Sequence, residues 1–356
     1  MKKKGLWAAV GLAALGSLLM AGVGVAQDYG RTPAELRLAT VRSWFYYLSV
    51  DLESAVLRQV MESDYDMVVM DPIVTERNNT DYDIAGTVSA LQEAGKIVLA
   101  YVDIGQAEDY RTYWQPEWEI GDPEWIVGED PDGWSGNYPV AFWYDAWREI
   151  WFNPQDGLLQ LVLDSGFDGI YMDWVEAYAD ENVVALAEEE GVDPVQEMIW
   201  FVGDISAYTK AQREDFIVIA QNAAELAAYD EYLYLIDGIA QEAVWFDGVP
   251  EGEEPPGDCP LPPTEADVDT EAYMAALPEP CRALLEDPDS QLHTSSESYL
   301  EALLLAQEKG EIVLTVDYAL EPENVAWVYE MARELGFIPF VGPRALDRYV
   351  PPFPAA

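Results

Sequence analysis

The sequence predicts a (β/α)8 barrel with long loops after the third and sixth strands. Three observations lead there. Short apolar runs recur eight times, each followed by a polar loop and a helical pattern. The runs are apolar at successive positions, not alternate ones, the mark of strands buried on both faces of a parallel sheet. The helical segments close on a glycine and lead into the next run, which is the crossover that parallel strands require. Eight units within about 300 residues suit a closed barrel better than an open doubly wound sheet. No glycine-rich phosphate loop follows the first run, which argues against a nucleotide-binding open sheet.

The runs, in order, are Ser43-Trp44-Phe45-Tyr46-Tyr47-Leu48, Met67-Val68-Val69-Met70-Asp71, and Ile97-Val98-Leu99-Ala100-Tyr101-Val102-Asp103. Then come Gly169-Ile170-Tyr171-Met172-Asp173, Phe216-Ile217-Val218-Ile219-Ala220-Gln221 and a weaker Gly238-Ile239-Ala240-Gln241-Glu242. Ile312-Val313-Leu314-Thr315-Val316-Asp317 and Phe337-Ile338-Pro339-Phe340-Val341 complete the set. Helical patterns over 84–94, 299–309 and 324–335 stop at Gly95, Gly310 and Gly336, where a left-handed cap costs glycine little. Two connections exceed ordinary loop length. Residues 105–150 carry Trp114, Trp118, Trp125, Trp134, Trp143 and Trp147, too aromatic a content for disorder. Residues 246–292 carry both cysteines and many of the prolines. Residues 27–356 therefore read as a single barrel domain with an insertion at about 246–292.

Residues 1–26 read as a signal peptide of bacterial type. Lys2, Lys3 and Lys4 form a positive region, 5–25 carry no charge, and Gly24 and Ala26 suit the −3 and −1 positions of a cleavage site. The alternative is an uncleaved anchor, since the apolar stretch is about long enough to span a bilayer; membrane contact is expected only through it. Export places the protein in the cell envelope or outside the cell. There a Cys259–Cys281 disulfide is the expected state, with two free thiols as the alternative.

Acidic residues number 67 and basic ones 18, for a formal charge of −49. So few cations make no basic face, which excludes a nucleic-acid partner. Two cysteines and one histidine fall short of the roughly four ligands of a structural zinc module. A Ser-His-Asp mechanism would have to rest on His293 alone. The acidity is spread along the chain, so most of it reads as solvated surface; a cationic substrate drawn to a negative cleft is the other reading.

Five of the eight runs end in an acid: Asp71, Asp103, Asp173, Glu242 and Asp317. In such a barrel the C-terminal strand ends open on one cleft, where active sites lie. One acid there reads equally well as a helix cap, but five converging on one mouth point to chemistry. Grouped carboxylates raise one another's pKa, so that one stays protonated while its neighbour is ionised. Glycosidic cleavage needs that pairing: one acid protonates the leaving oxygen, the other attacks or activates water. The aromatic loop suits the apolar faces of sugars, although most of its indoles are expected in the core. An oxygen-only metal site is the competing use of these acids. No D-x-D-x-D-G loop is present and the acids lie on separate strands, so no metal and no other cofactor is expected.

Several motifs then follow one another in order. They are Tyr101-Val102-Asp103-Ile104-Gly105-Gln106-Ala107-Glu108-Asp109-Tyr110-Arg111, Gly136-Asn137-Tyr138-Pro139-Val140, and Gly166-Phe167-Asp168-Gly169-Ile170-Tyr171-Met172-Asp173. After them come Gln221-Asn222 with Glu225-Leu226, Asp237-Gly238-Ile239 with Glu242, and Val316-Asp317-Tyr318-Ala319. The set spans roughly residues 43–346 and resembles the exported TIM-barrel proteins of glycoside hydrolase family 114. That grouping includes endo-α-1,4-polygalactosaminidases and relatives once labelled cysteinyl-tRNA-synthetase-related.

The resemblance implies the barrel and a polysaccharide hydrolase. Joined to the acid pattern, it leads to an exported enzyme cleaving an α-linked galactosamine-containing polysaccharide, the one partner expected. Asp173 is the expected nucleophile or principal charge stabiliser and Glu242 the general acid/base. Asp71, Asp103 and Asp317 are expected to hold sugar hydroxyls or an amino group, with Tyr101, Tyr171 and Trp174 stacking or orienting and Asn222 in substrate contact. Glu108 and Arg111 either pair with each other or touch ligand. Asp168 precedes its strand and belongs structurally to the opposite rim. Two features depart from the family pattern: Gln106 where a glutamate is expected, and the insertion after Glu242. A non-catalytic, exported glycan-binding barrel is the alternative; it would tolerate loss of Glu242.

Overall fold

Strands that are apolar on both faces must be covered on both, and the chain meets this by closing its sheet on itself. The computed structural model describes residues 31–49, 54–131, 133–249, 255–288 and 290–354. The segment expected to be a signal peptide, 1–26, lies outside them. Eight strands form one sheet in chain order: β1 (Trp44–Tyr47), β2 (Met67–Met70), β3 (Ile97–Asp103), β4 (Gly169–Asp173), β5 (Ile217–Gln221), β6 (Gly238–Glu242), β7 (Val313–Tyr318) and β8 (Ile338–Gly342). Every neighbouring pair is parallel. β1 and β8 meet at the seam, where Trp44 Nε1 donates to the Ile338 carbonyl at 3.0 Å and the Leu48 N–H to the Leu346 carbonyl at 3.0 Å. The result is a nearly closed (β/α)8 barrel, as the sequence predicts.

All residues of β1, β2, β4 and β5 are buried. Aromatic rings fill much of the interior. Trp44 lies 5.7 Å from Tyr171 and 5.7 Å from Phe340, and Tyr46 lies 5.2 Å from Tyr171 and 6.3 Å from Tyr101. The crossover helices begin earlier than apolar periodicity suggests, because their first turns are set by caps. Ser295 caps Ser296–Glu308 by accepting from the Ser298 N–H, and Pro322 opens Pro322–Leu335 with its fixed φ. No helix among the described residues is long and apolar enough to cross a membrane.

The two long connections are both built on short antiparallel ladders. Gln106–Glu108 pairs with Asn137–Pro139, and behind it the indoles of Trp114, Trp118, Trp125 and Trp147 pack in sequence at 5.0–5.5 Å. Phe246–Asp247 pairs with Cys259–Pro260, and a disulfide joins Cys259 to Cys281 with their Cα atoms 5.4 Å apart. Around it Ala243, Leu261, Tyr273, Leu277 and Leu292 form a second, smaller apolar cluster.

The N-terminal rim is held by charge. Asp168 accepts from Arg37 Nη2 at 2.6 Å, Arg213 Nη2 at 2.9 Å, Gln92 Nε2 at 3.0 Å and the Val98 N–H at 2.9 Å. Burial pushes its carboxyl up, but the bonds from Arg37, Val98 and Gln92 outweigh that and hold it below the usual carboxylate range. A carboxyl depressed on folding contributes stability that is present above its unfolded value of about 3.9 and is lost as pH falls through the folded value. Asp168→Ala should therefore lower unfolding free energy by about 2–4 kcal/mol at pH 7, measured by denaturant titration. The gap from wild type should narrow below about pH 4. A gap unchanged across that range would remove the charge-based account.

Candidate active site

The backbone is most contorted where the strands end. Of the eight non-glycine residues with positive φ among the described residues, five follow a strand terminus within three residues: Ile73, Trp174, Asn222, Ala223 and Ala243. Left-handed backbone at such residues persists only where the surroundings impose it, and it gathers at functional sites. All five lie at the C-terminal rim.

Strand register decides which acids share that mouth. Asp103 lies beside Asp173 across β3 and β4, and Val316 lies beside Glu242 across β6 and β7. Parallel partners face the same side, and successive residues face opposite sides. Asp173 Oδ1 accepts from Gln221 Nε2 at 2.7 Å and from the Trp174 N–H at 2.8 Å; Oδ2 accepts from the Tyr101 hydroxyl at 2.8 Å. Glu242 Oε2 accepts from the same Gln221 Nε2 at 2.7 Å and from Asn222 Nδ2 at 3.2 Å, and Oε1 accepts from the Tyr318 hydroxyl. One nitrogen thus touches both carboxyl groups, so the two oxygens are at most twice 2.7 Å apart. Burial, and then the neighbouring Asp173, push Glu242 up to about 7, against the lowering effects of Arg344 and of the bonds from Tyr318 and Asn222.

The other strand-end acids hold the loops. Asp71 takes both terminal nitrogens of Arg111, at 2.9 and 2.8 Å, and accepts the Ile73 N–H at 2.7 Å. Glu108 also receives Arg111, through Nε at 2.7 Å and Nη2 at 2.9 Å, so these two loop residues pair with each other. Asp103 Oδ1 accepts from the N–H groups of Gly105 and Gln106, while Oδ2 is buried without a hydrogen-bond partner. Burial, then the charges of Glu108 and Asp173, push Asp103 well above the ordinary range. Asp317 alternates with Tyr318 and so points away from the Asp173–Glu242 pair; its Oδ1 accepts the N–H groups of Trp245 at 2.7 Å and Phe246 at 3.0 Å.

Tyr171 is fully buried one layer beneath Asp173, against Trp44 and Tyr46. Trp174 is 9% exposed, and its carbonyl packs so close to Gly105 that a Cβ there would approach it to 2.2 Å. Glycine is thus required at the start of the third loop. Gln106 donates to Asp130 Oδ2 at 2.6 Å and accepts from Asn137 at 3.2 Å; a carboxylate in its place would face another carboxylate. Asn222 spends its amide on Glu176, Glu242 and Gln241. The residues missed by sequence reasoning are Gln221, Tyr318 and Glu176. Gln221 and Tyr318 stand within the quoted motifs, beside Asn222 and Asp317, but a neutral amide or phenol at a strand end gives no charge signal.

A groove of about 710 Å3 lies on the helical exterior, lined by residues including Trp143, Arg148, Trp200 and Glu231. It contains none of the strand-end acids.

The model of glycoside-hydrolase family GH114 matches residues 30–352. The chain is 32% identical over 317 residues to an uncharacterized protein of Deinococcus radiodurans, covering 88% of this chain and 84% of that one. It is 28% identical over 317 residues to an uncharacterized protein of Thermotoga maritima, covering 86% and 81%. The glycoside hydrolase domain of PelA from Pseudomonas aeruginosa shares the fold, with a TM-score of 0.54, 16% identity and coverage of 87% and 97%. So does Aspergillus fumigatus Ega3, in a complex with galactosamine, with a TM-score of 0.53, 14% identity and coverage of 92% and 98%. With its family model matched over nearly the whole barrel, the chain belongs to glycoside-hydrolase family GH114 and is a glycosidase.

Proposed function

We propose that the protein is exported and hydrolyses an α-linked, galactosamine-containing polysaccharide with retention at the anomeric carbon. Asp173 is the nucleophile and Glu242 the acid/base. The observation that carries this is the Gln221 nitrogen shared by both carboxyl groups. It bounds the closest oxygens within the separation of about 5–5.5 Å that goes with retention, and below the roughly 6.5–9.5 Å that leaves room for an inverting water. Asp173 accepts three hydrogen bonds, the acceptor-only role of an ionised carboxylate. Glu242, pushed up to about 7, keeps its proton in weakly acidic solution.

In the first step Glu242 gives its proton to the glycosidic oxygen, the C1–O bond breaks, and an Asp173 oxygen bonds C1. In the second, the now ionised Glu242 takes a proton from water, whose oxygen displaces Asp173 and frees the sugar. The bond from Tyr101 holds Asp173 in place throughout. The galactosamine in the Ega3 complex supports an amino sugar as substrate, and the chain's charge of −49 suits a polymer carrying free amines. Export rests on the Lys2–Lys4 region and the uncharged stretch behind it.

Asp173→Asn and Glu242→Gln should each cut release of reducing ends from partially deacetylated polygalactosamine by about 1,000-fold or more, with melting curves like wild type. Full activity in either variant removes that residue from the mechanism. Because the first step needs protonated Glu242, kcat/KM should fall as pH rises through about 7. A rate that climbs through that range would contradict the assignment. Proton NMR of the fresh product should show the α anomer first, and the β anomer first would exclude retention.

A further inference from the structure

Glu176 takes no part in the chemistry above, yet it sits half-buried beside it. It sits in the 3-10 turn Val175–Ala179 directly after β4, and Trp174, at φ 54°, turns the chain into that position. Its Oε1 accepts from Asn222 Nδ2 at 2.8 Å, and the same nitrogen donates to Glu242 Oε2 at 3.2 Å. Asn222 Oδ1 accepts from the Glu242 N–H at 3.1 Å and from Gln241 Nε2 at 3.0 Å. Those two donors decide which way the amide faces: its oxygen must meet them, so its NH2 group points at the two carboxyls. That group has two hydrogens, one for each.

Glu176 Oε2 is shut from solvent and has no hydrogen-bond partner. A buried carboxylate oxygen without a donor costs more than the hydroxyl of a neutral acid. Burial, and then the charge of Asp173, push Glu176 well above the ordinary range, in agreement with that geometry. Glu242 is faced by Asp173 from β4, Tyr318 from β7 and Arg344 beyond β8.

We infer that Glu176 is a positioning residue: its carboxyl oxygen grips the Asn222 amide, and Asn222 in turn fixes the orientation in which Glu242 meets the glycosidic oxygen. The inference rests on the acid/base role given to Glu242. Glu176→Leu removes the accepting oxygen at similar volume, while Glu176→Gln keeps an accepting oxygen. In the leucine variant kcat should drop about 10- to 100-fold with KM nearly unmoved, as expected for misplacement of a reacting group. Titration of Glu242, followed by NMR of ¹³C-labelled glutamate and assigned by the signal lost in Glu242→Gln, should move upward. The reason is that a donor favouring its ionised form has been loosened. Glu176→Gln should recover most of kcat and return the titration toward wild type.

The titration needs no substrate. A wild-type protein that leaves polygalactosamine uncut would sink the substrate reading, while the NMR result would still decide this one. An unmoved Glu242 titration in Glu176→Leu, or a glutamine variant as impaired as the leucine one, overturns the inference. Should the leucine variant fail to fold, Asn222→Ala breaks the same link from the other side, and there too the Glu242 titration must rise for the inference to stand.

Discussion

A single amide nitrogen, Nε2 of Gln221, binds two carboxyl groups at once, and the barrel mouth is organised around it. Two charges about 5 Å apart repel by roughly 3 kcal/mol at an effective dielectric near 20. Ionisation of the two is therefore coupled: beside the charge of Asp173, Glu242 keeps its proton up to about pH 7. An amide donor is suited to such a pair because it satisfies either protonation state and carries no charge of its own. The parallel register makes this possible: β5 lies between β4 and β6, so its last residue reaches the last residue of each neighbour.

The remaining strand-end acids explain why that pair stays put. Asp71, Asp103 and Asp317 each receive backbone N–H groups from the loops, and Asp71 also takes the guanidinium of Arg111. A carboxylate at the end of a strand is thus a general device in this barrel for fastening irregular chain. In two positions, Asp173 and Glu242, the same device is turned inward. Asp173 itself still accepts the Trp174 N–H, so the proposed nucleophile is also a loop fastener. Catalytic groups held this way lose little by reorganising during reaction.

Much of this was legible from residues alone, and the limits have physical causes. All eight strands announced themselves because burial on both faces writes continuous apolar runs. Helix starts were less clear, since the caps at Ser295 and Pro322 are polar or rigid rather than apolar. Asp173 and Glu242 stood out as acids where packing asks for none. Asp317 looked identical to them, but facing depends on register, and a shift of one residue reverses it. Its neighbour Tyr318 faces the site instead. The indoles after β3 have the composition of a sugar platform, and only packing shows that Trp114, Trp125 and Trp147 spend their faces on one another and on the core. For Glu108 and Arg111, spacing permitted a pair and the short loop between them formed it.

The chain's acidity and the site's acidity are separate matters. The surface carboxylates are solvated and set the long-range field around the molecule. Within the mouth, burial drives Asp103, Glu176 and Glu242 all toward their neutral forms. The acid count at the strand ends thus overstates the negative charge that Glu242 experiences. Were Asp103 and Glu176 ionised beside Asp173, their added repulsion would hold the proton on Glu242 far more tightly, and transfer to a glycosidic oxygen would lose its driving force. Keeping the surrounding acids dry is therefore part of how one glutamate is left poised near 7, and the buried tyrosines and indoles beneath the mouth are what keep them dry.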